Sequence, residues 1–370
     1  MNDNSHKKIT GILLGTAVAD SIGLPMEGMS PKRIKRLKWL DESRPLKHHF
    51  VFGKGMWSDD TEHTIMLTQA LLASGGNLKK FQRSFSWELR WWLLGLPAGV
   101  GLATARAIIK LWLGFSVKHS GVFSAGNGSS MRAAMVAAYF PDDQEKRQAF
   151  TFAQSMITHI DPKATIGAMA VTELVAFSLN NEETPSITEV MELMTSVGDV
   201  DLHGMREVDE ARRDWKLIST LMHKAWESGW DAEEFLKSLL KSIGGRPERG
   251  VTGYVYQSVP VAIYVGVKEN WEFKKVIRTL ISLGGDTDTV AAIAGAICGA
   301  FGGVEAIPGK WKSGVKEWPC SMTDLERLAT AVTKKKKIRV RARTSVPLLL
   351  RNILFLGVVL VHGFARLIPR

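Results

Sequence analysis

Two short segments of this 370-residue chain set acids and hydroxyls side by side: Ser58-Asp59-Asp60-Thr61 and Gly284-Gly285-Asp286-Thr287-Asp288-Thr289. Each stands just before an apolar run of helical character, so each puts two carboxylates and two hydroxyls at a helix start. Hard divalent cations such as Mg2+ or Mn2+ take oxygen ligands in near-octahedral geometry. The four carboxylates with the Ser58 and Thr289 hydroxyls could hold a pair of such ions, with water or substrate oxygens in the open positions. The competing reading is helix capping, since Ser, Asp and Thr are favoured N-cap residues and acids suit a first turn. Capping needs one acceptor per helix end, however, and adjacent acids repel each other. A cation removes that repulsion, so the two loops together favour a metal centre.

The elements that must position these loops read as helices. Thr64–Ala73, Ala164–Leu179 and Thr289–Ala300 are apolar, rich in good helix formers and too long for typical strands. Residues 212–241 alternate apolar and charged positions at three- and four-residue steps, the pattern of surface-lying amphipathic helices. VYQSVPVAIYVGV is the best strand candidate, and a buried helix fits it equally. Glycine clusters at 53–55, 121–128, 244–253 and 284–285 mark loops with close backbone approach. No repeat of fixed period is present.

Composition excludes several classes. Two cysteines, Cys298 and Cys320, build no disulfide framework, which points to a reducing compartment and a cytoplasmic location. The formal charge of +11 suggests nucleic acid at first. Residues 334–370, however, hold four lysines and six arginines without an acid, leaving 38 basic and 37 acidic side chains in the other 333 residues. The body is neutral, and no nucleic-acid partner is expected.

Five segments in order, GILLGTAVADSIGLPMEG, WSDDT, SAGNGSSMRAA, THIDP and GGDTDTVAAIAGAICGAFGG, resemble the signature blocks of the ADP-ribosylglycohydrolases. That family includes the dinitrogenase reductase-activating glycohydrolases. The resemblance covers roughly residues 8–320. It implies an all-α orthogonal multi-helix bundle over residues 1–333 with a site for two Mg2+, Mn2+ being the other candidate. By motif position it assigns metal ligation to Ser58, Asp59, Asp60, Asp286, Asp288 and Thr289. It sets Glu27 on a mobile loop over the site, and makes Gly126-Asn127-Gly128-Ser129-Ser130 the contact for a diphosphate. A Gly- and Ser-rich turn before a helix suits phosphate through its backbone N–H groups, although such turns are also common as plain structure. His159, in THIDP, becomes a candidate contact to ribose or phosphate. Tyr254 could stack on adenine or belong to the core. His63, beside the acid doublet, is expected on the helix beyond the ligands.

The implied reaction is metal-dependent release of ADP-ribose from an ADP-ribosylated protein or small-molecule conjugate, with ADP-ribosyl-arginine as first guess. Two ions about 3.5–4 Å apart would grip ribose hydroxyls and lower the pKa of a bound water. Asp59, Asp60 or Glu27 would relay protons. The rival is a non-catalytic protein of the same fold that binds ADP-ribose or a nucleotide; a two-metal phosphoesterase is a third reading.

The basic block at 334–343 leads into an apolar stretch ending in Arg370. An interfacial helix on an anionic membrane surface, a tail anchor and a helix docked on the domain all fit. Because the Lys/Arg block directly precedes the apolar run, membrane association is the expectation.

Overall fold

The computed structural model describes residues 3–40 and 46–367. The first two residues of the polar N-terminus and the last three of the tail lie outside them. Among the described residues there are seventeen α-helices, short 3-10 turns and isolated β-bridges, with no strand. The all-α expectation therefore holds. In chain order the first nine are α1 Asp3–Gly23, α2 Pro31–Leu37, α3 Asp59–Ser74, α4 Leu78–Leu94, α5 Leu102–Trp112, α6 Ala134–Tyr139, α7 Gln144–Met156, α8 Pro162–Asn180 and α9 Ile187–Gly198. The rest are α10 Val208–Glu227, α11 Ala232–Ile243, α12 Val255–Lys268, α13 Phe273–Ser282, α14 Thr287–Gly302, α15 Gly309–Gly314, α16 Met322–Thr333 and α17 Val346–Leu367.

Helices that are apolar all round sit at the centre, and those with one apolar stripe surround them. α1 is buried from Lys8 to Gly23, α12 from Val255 to Val267, and α14 over nearly its whole length. α10, α11 and α13 bury a single face. The ambiguous VYQSVPVAIYVGV stretch is thus helical: buried on every side, it shows no alternation that could mark a strand.

α1 and α14 lie against each other backbone to backbone. A Cβ built on Gly299 would fall 2.0 Å from the Gly11 carbonyl oxygen, and one on Gly15 would fall 2.2 Å from that of Gly295. A Cβ on Gly23 would meet the Thr287 carbonyl at 2.4 Å. These pairings run antiparallel, so the end of α1 arrives at the start of α14, where Asp286 and Asp288 stand. Only glycine permits this approach, and the approach sets one acidic loop beside α1.

The tail packs one face on the body and leaves an apolar face of its helix exposed, including Leu350, Ile353, Leu354 and Leu360. Gln69, on α3, takes the backbone N–H groups of Val340 and Arg341 on Oε1. Arg339 and Arg343 both bond Glu88 on α4, at 2.8 and 3.0 Å. In α17, Arg351 and Asn352 are buried, and Phe355 packs with Leu24, Phe50, Met56 and Ala98. The helix is long and apolar enough to cross a membrane by length and composition, yet its inner face carries a buried guanidinium and amide bonded to the body. Only Lys334–Lys337 form the exposed charge run that composition suggests. Residue 333 marks a change of composition, and beyond it Val340, Arg341, Arg351, Asn352 and Phe355 contact the body.

Gly299→Ala is expected to lower stability by about 2–3 kcal/mol, the usual cost of overpacking a tight contact. Gly357→Ala, on α17 with open space around its Cβ position, should instead stabilise by about 0.5–1 kcal/mol through helix propensity. Urea unfolding midpoints of the two variants test the contrast.

Candidate functional site

α3 begins at Ser58, whose extended backbone and side chain cap the helix: the Asp60 N–H donates to Ser58 Oγ at 3.3 Å. The same hydroxyl donates to Asp60 Oδ2 at 3.1 Å. Asp20 of α1 holds this corner from below. Its carboxylate accepts the Ser58 N–H at 3.0 Å, the Thr61 N–H at 3.2 Å and the Thr61 hydroxyl at 2.6 Å.

α14 begins differently. Asp286 occupies the N-cap position but makes no side-chain cap bond. Its Oδ2 instead accepts from Asn127 Nδ2 at 2.7 Å. Capping accounts for part of the first loop and not for the second. The Gly pair has a definite job here: Gly284 and Gly285 have φ of +66° and +86°. A Cβ on Gly285 would lie 1.8 Å from the Val251 carbonyl.

The two loops meet. The Thr289 hydroxyl donates to Asp60 Oδ2 at 3.2 Å across 229 residues of sequence. Asp60 Oδ1 is buried and has no hydrogen-bond partner. Among the described residues no group of three or more His, Cys, Asp or Glu side chains forms a metal cage by itself. The oxygens that gather are mixed, from Asp60, Ser58 and Thr289, with Asp59, Asp286 and Asp288 around them. A partnerless buried carboxylate oxygen amid hydroxyls is a donor set that fits a hard divalent cation.

The electrostatics point the same way. Burial pushes Asp59, Asp60 and Asp288 well above the ordinary carboxylate range, and mutual repulsion adds to it. Glu27 is among the charges repelling Asp59 and Asp288. Burial also raises Asp286, opposed by its bonds to Asn127 and Thr289. Asp20 is lifted to about 7 by burial, with the Thr61 and Ser58 bonds opposing.

Asp59, Asp286, Asp288 and Thr289 face a cleft of about 790 Å³, within the size range of small-molecule sites. Gly126, Asn127, Gly128 and His159 also line it. Cβ atoms on Gly126 and Gly128 would stand 3.2 and 3.0 Å from the His159 ring, so glycine lets the loop rest on the imidazole. His159 Nδ1 bonds the Thr158 hydroxyl at 2.8 Å, and burial lowers its pKa to about 3. The ring is neutral at physiological pH.

Several expected contacts fall elsewhere. Ser129 and Ser130 are fully buried behind the loop, and Ser129 Oγ bonds the Ala164 carbonyl; the 3-10 turn aims their side chains inward. Tyr254 joins the loop through backbone, in a bridge to Gly126. Its ring sits 6.0 Å from Tyr256, outside the cleft lining, because the N-cap geometry of α12 directs it away. Glu27 is exposed at the rim on a short turn whose next residues are held by Gly28 N–H to Gly285 O and Gly285 N–H to Met29 O. His63 lies on α3 as expected, with Nδ1 2.9 Å from Arg132 Nη1.

Sequence reasoning missed Asp20, Arg132 and Arg249. Asp20 is the only charged residue between Ile9 and Pro25, and an acid alone in a buried helix demands partners. Arg132 is fully buried, its pKa lowered to about 9 by that burial, and bonds Gln154, Thr158 and His63. Arg249 brings a guanidinium to the cleft rim.

Comparison with known proteins agrees with this architecture. The family model for ADP-ribosylglycohydrolase matches residues 1–340. This chain belongs to that family. ADP-ribosylhydrolase ARH3 of Xenopus tropicalis is 26% identical over 331 residues, covering 82% of this chain and 90% of the relative. The ADP-ribosyl-[dinitrogen reductase] glycohydrolase of Rhodospirillum rubrum is 25% identical, covering 83% and 90%. A solved ADP-ribosylglycohydrolase-related protein complex aligns with a TM-score of 0.60 at 21% identity, over 91% of this chain and 100% of that one. It shares the fold.

In this ADP-ribosylglycohydrolase-family chain, with no cation bound, burial favours the protonated forms of these aspartates in the folded state. Their contribution to stability is full below about pH 4 and is lost as pH rises toward and through the folded values, about 7 for Asp20. Melting temperature in chelator should therefore fall from pH 5 to pH 8, and Asp288→Asn should flatten the slope. An equal slope in both proteins would contradict this electrostatic reading.

Proposed function

We propose that this protein is a metal-dependent hydrolase that releases ADP-ribose from an ADP-ribosylated acceptor. One observation carries the reading: the acidic loops opening α3 and α14 meet through the Thr289–Asp60 bond beside a cleft lined by Asp59, Asp286 and Asp288, and Asp60 keeps a buried oxygen without a partner. Family membership supplies the reaction class, and the names of the amphibian and bacterial relatives supply the ADP-ribose group.

Asp59, Asp60, Asp286 and Asp288, with the Ser58 and Thr289 hydroxyls, would hold the cations, two Mg2+ or Mn2+. When bound, such ions polarise ligand oxygens and lower the pKa of a coordinated water. The chain's own residues do the remaining work. Gly126, Asn127 and Gly128 present backbone to the diphosphate, and Arg249 adds positive charge at the rim. Neutral His159 keeps that loop in place from beneath. Glu27, exposed at the rim and close enough to Asp59 and Asp288 to repel both, is positioned to exchange a proton with the leaving group or the attacking water. Glycosidic cleavage passes through an oxocarbenium-like state, which carboxylates around the anomeric carbon stabilise.

Arginine is the first acceptor to test. A panel of ADP-ribosyl-arginine, ADP-ribosyl-serine and O-acetyl-ADP-ribose, with Mg2+ and with chelator, distinguishes the candidates. Free ADP-ribose should appear from at least one conjugate and stop with chelator. Asp288→Ala should abolish release while leaving the far-ultraviolet circular dichroism unchanged. Tight ADP-ribose binding with no release from any conjugate would make it a binding protein, and phosphate release without free ADP-ribose a phosphoesterase.

A further inference from the structure

The family match ends at residue 340, yet a residue well beyond it grips the loop that carries Asp59 and Asp60. Arg351, in α17, is 2% exposed. Its Nη2 donates to the Trp57 carbonyl at 2.7 Å, one residue before Ser58. The same guanidinium forks onto Glu317, Nε to Oε1 at 2.9 Å and Nη2 to Oε2 at 2.7 Å. Glu317 Oε2 in turn accepts the Trp57 N–H at 3.3 Å. Both backbone polar groups of Trp57 are thus held by one buried ion pair.

The grip continues on the far side of the acid doublet. Arg351 Nη1 stands 3.5 Å from Glu62 Oε1, and Arg341 Nη2 stands 3.6 Å from the same oxygen. The other Glu62 oxygen accepts from Trp92 Nε1 at 2.5 Å. Beside Arg351, Asn352 donates to the Gly95 carbonyl at 2.6 Å, in the segment leading to the cleft-lining Gly99.

We infer that the C-terminal strap is a positioning device for the first acidic loop, with Arg351 clamping Trp57 and Glu62 on either side of Ser58-Asp59-Asp60-Thr61. The inference rests on the cation reading of that loop. Arg351 touches neither cleft nor acid doublet, so it acts through the backbone it holds. A planar guanidinium can serve three acceptors at once, which a lysine ammonium at the end of a flexible stem does not reproduce.

The test uses the full chain. Arg351→Met combined with Glu317→Gln removes the clamp without leaving a lone buried carboxylate at 317, and Arg351→Lys is the conservative variant. Amide hydrogen exchange at residues 57–62 and Mn2+ affinity by electron paramagnetic resonance are read in each. In the double variant exchange at 57–62 should accelerate while α8 stays protected. Mn2+ affinity should drop about tenfold, the size expected when one charge-assisted hydrogen bond is lost, and Arg351→Lys should fall between. If the double variant fails to fold, Arg351→Lys alone should show the localised acceleration. Unchanged exchange at 57–62, or acceleration spread equally over all helices, would overturn the clamp. Localised acceleration in a chain whose wild type binds no Mn2+ would support the clamp and refute the cation reading.

Discussion

Five aspartates crowd one end of the α1–α14 pair, and their mutual repulsion in a region sheltered from water is the constraint the rest of the molecule answers. Asp20, Asp59, Asp60, Asp286 and Asp288 are all held above the ordinary carboxylate range, in each case chiefly by burial. Taking a carboxylate out of water costs several kcal/mol after relaxation, so a fold that collects five needs compensation. Part comes from donors within the chain: the Ser58, Thr61 and Thr289 hydroxyls, the Asn127 amide and backbone N–H groups at the start of α3. The Asp60 oxygen left without a partner is where the proposed cation would add to them.

The glycine contacts of α1 and α14 bring the acids together. Because backbone meets backbone at Gly11–Gly299 and Gly15–Gly295, the two helix axes approach closely and Asp20 comes beneath the corner where α3 begins. A polar hub in an otherwise apolar helix stabilises only when every lone pair is used, and Asp20 spends its oxygens on Ser58 and Thr61. The same economy appears at the C-terminus, where Arg339, Arg341, Arg343 and Arg351 find carboxylates on the body. These arginines are matched to Glu62, Glu88 and Glu317, whereas Lys334–Lys337 stay exposed.

The helical architecture was legible from periodicity because the long apolar runs exceed strand length. The acid doublets were legible because adjacent carboxylates are poor caps. Asp20 was not read as part of the site, since nothing in its neighbours in sequence says what lies across from it; only the convergence of α1 with α3 does. Side-chain direction was likewise hidden. Ser129, Ser130 and Tyr254 belong to the expected segments, but a 3-10 turn and an N-cap geometry aim them away from the cleft. In the tail, hydropathy and charge registered the helix and its basic lead, whereas docking depends on three distant glutamates that no local pattern reveals.

The most direct measurement of the central claim is anomalous diffraction from crystals of the full chain grown with Mn2+. The account predicts two anomalous peaks at the carboxylates of Asp60 and Asp288, within reach of the Ser58 and Thr289 hydroxyls. Saturating Mn2+ with no peak between the α3 and α14 N-termini, or with the metal bound only elsewhere, would contradict it.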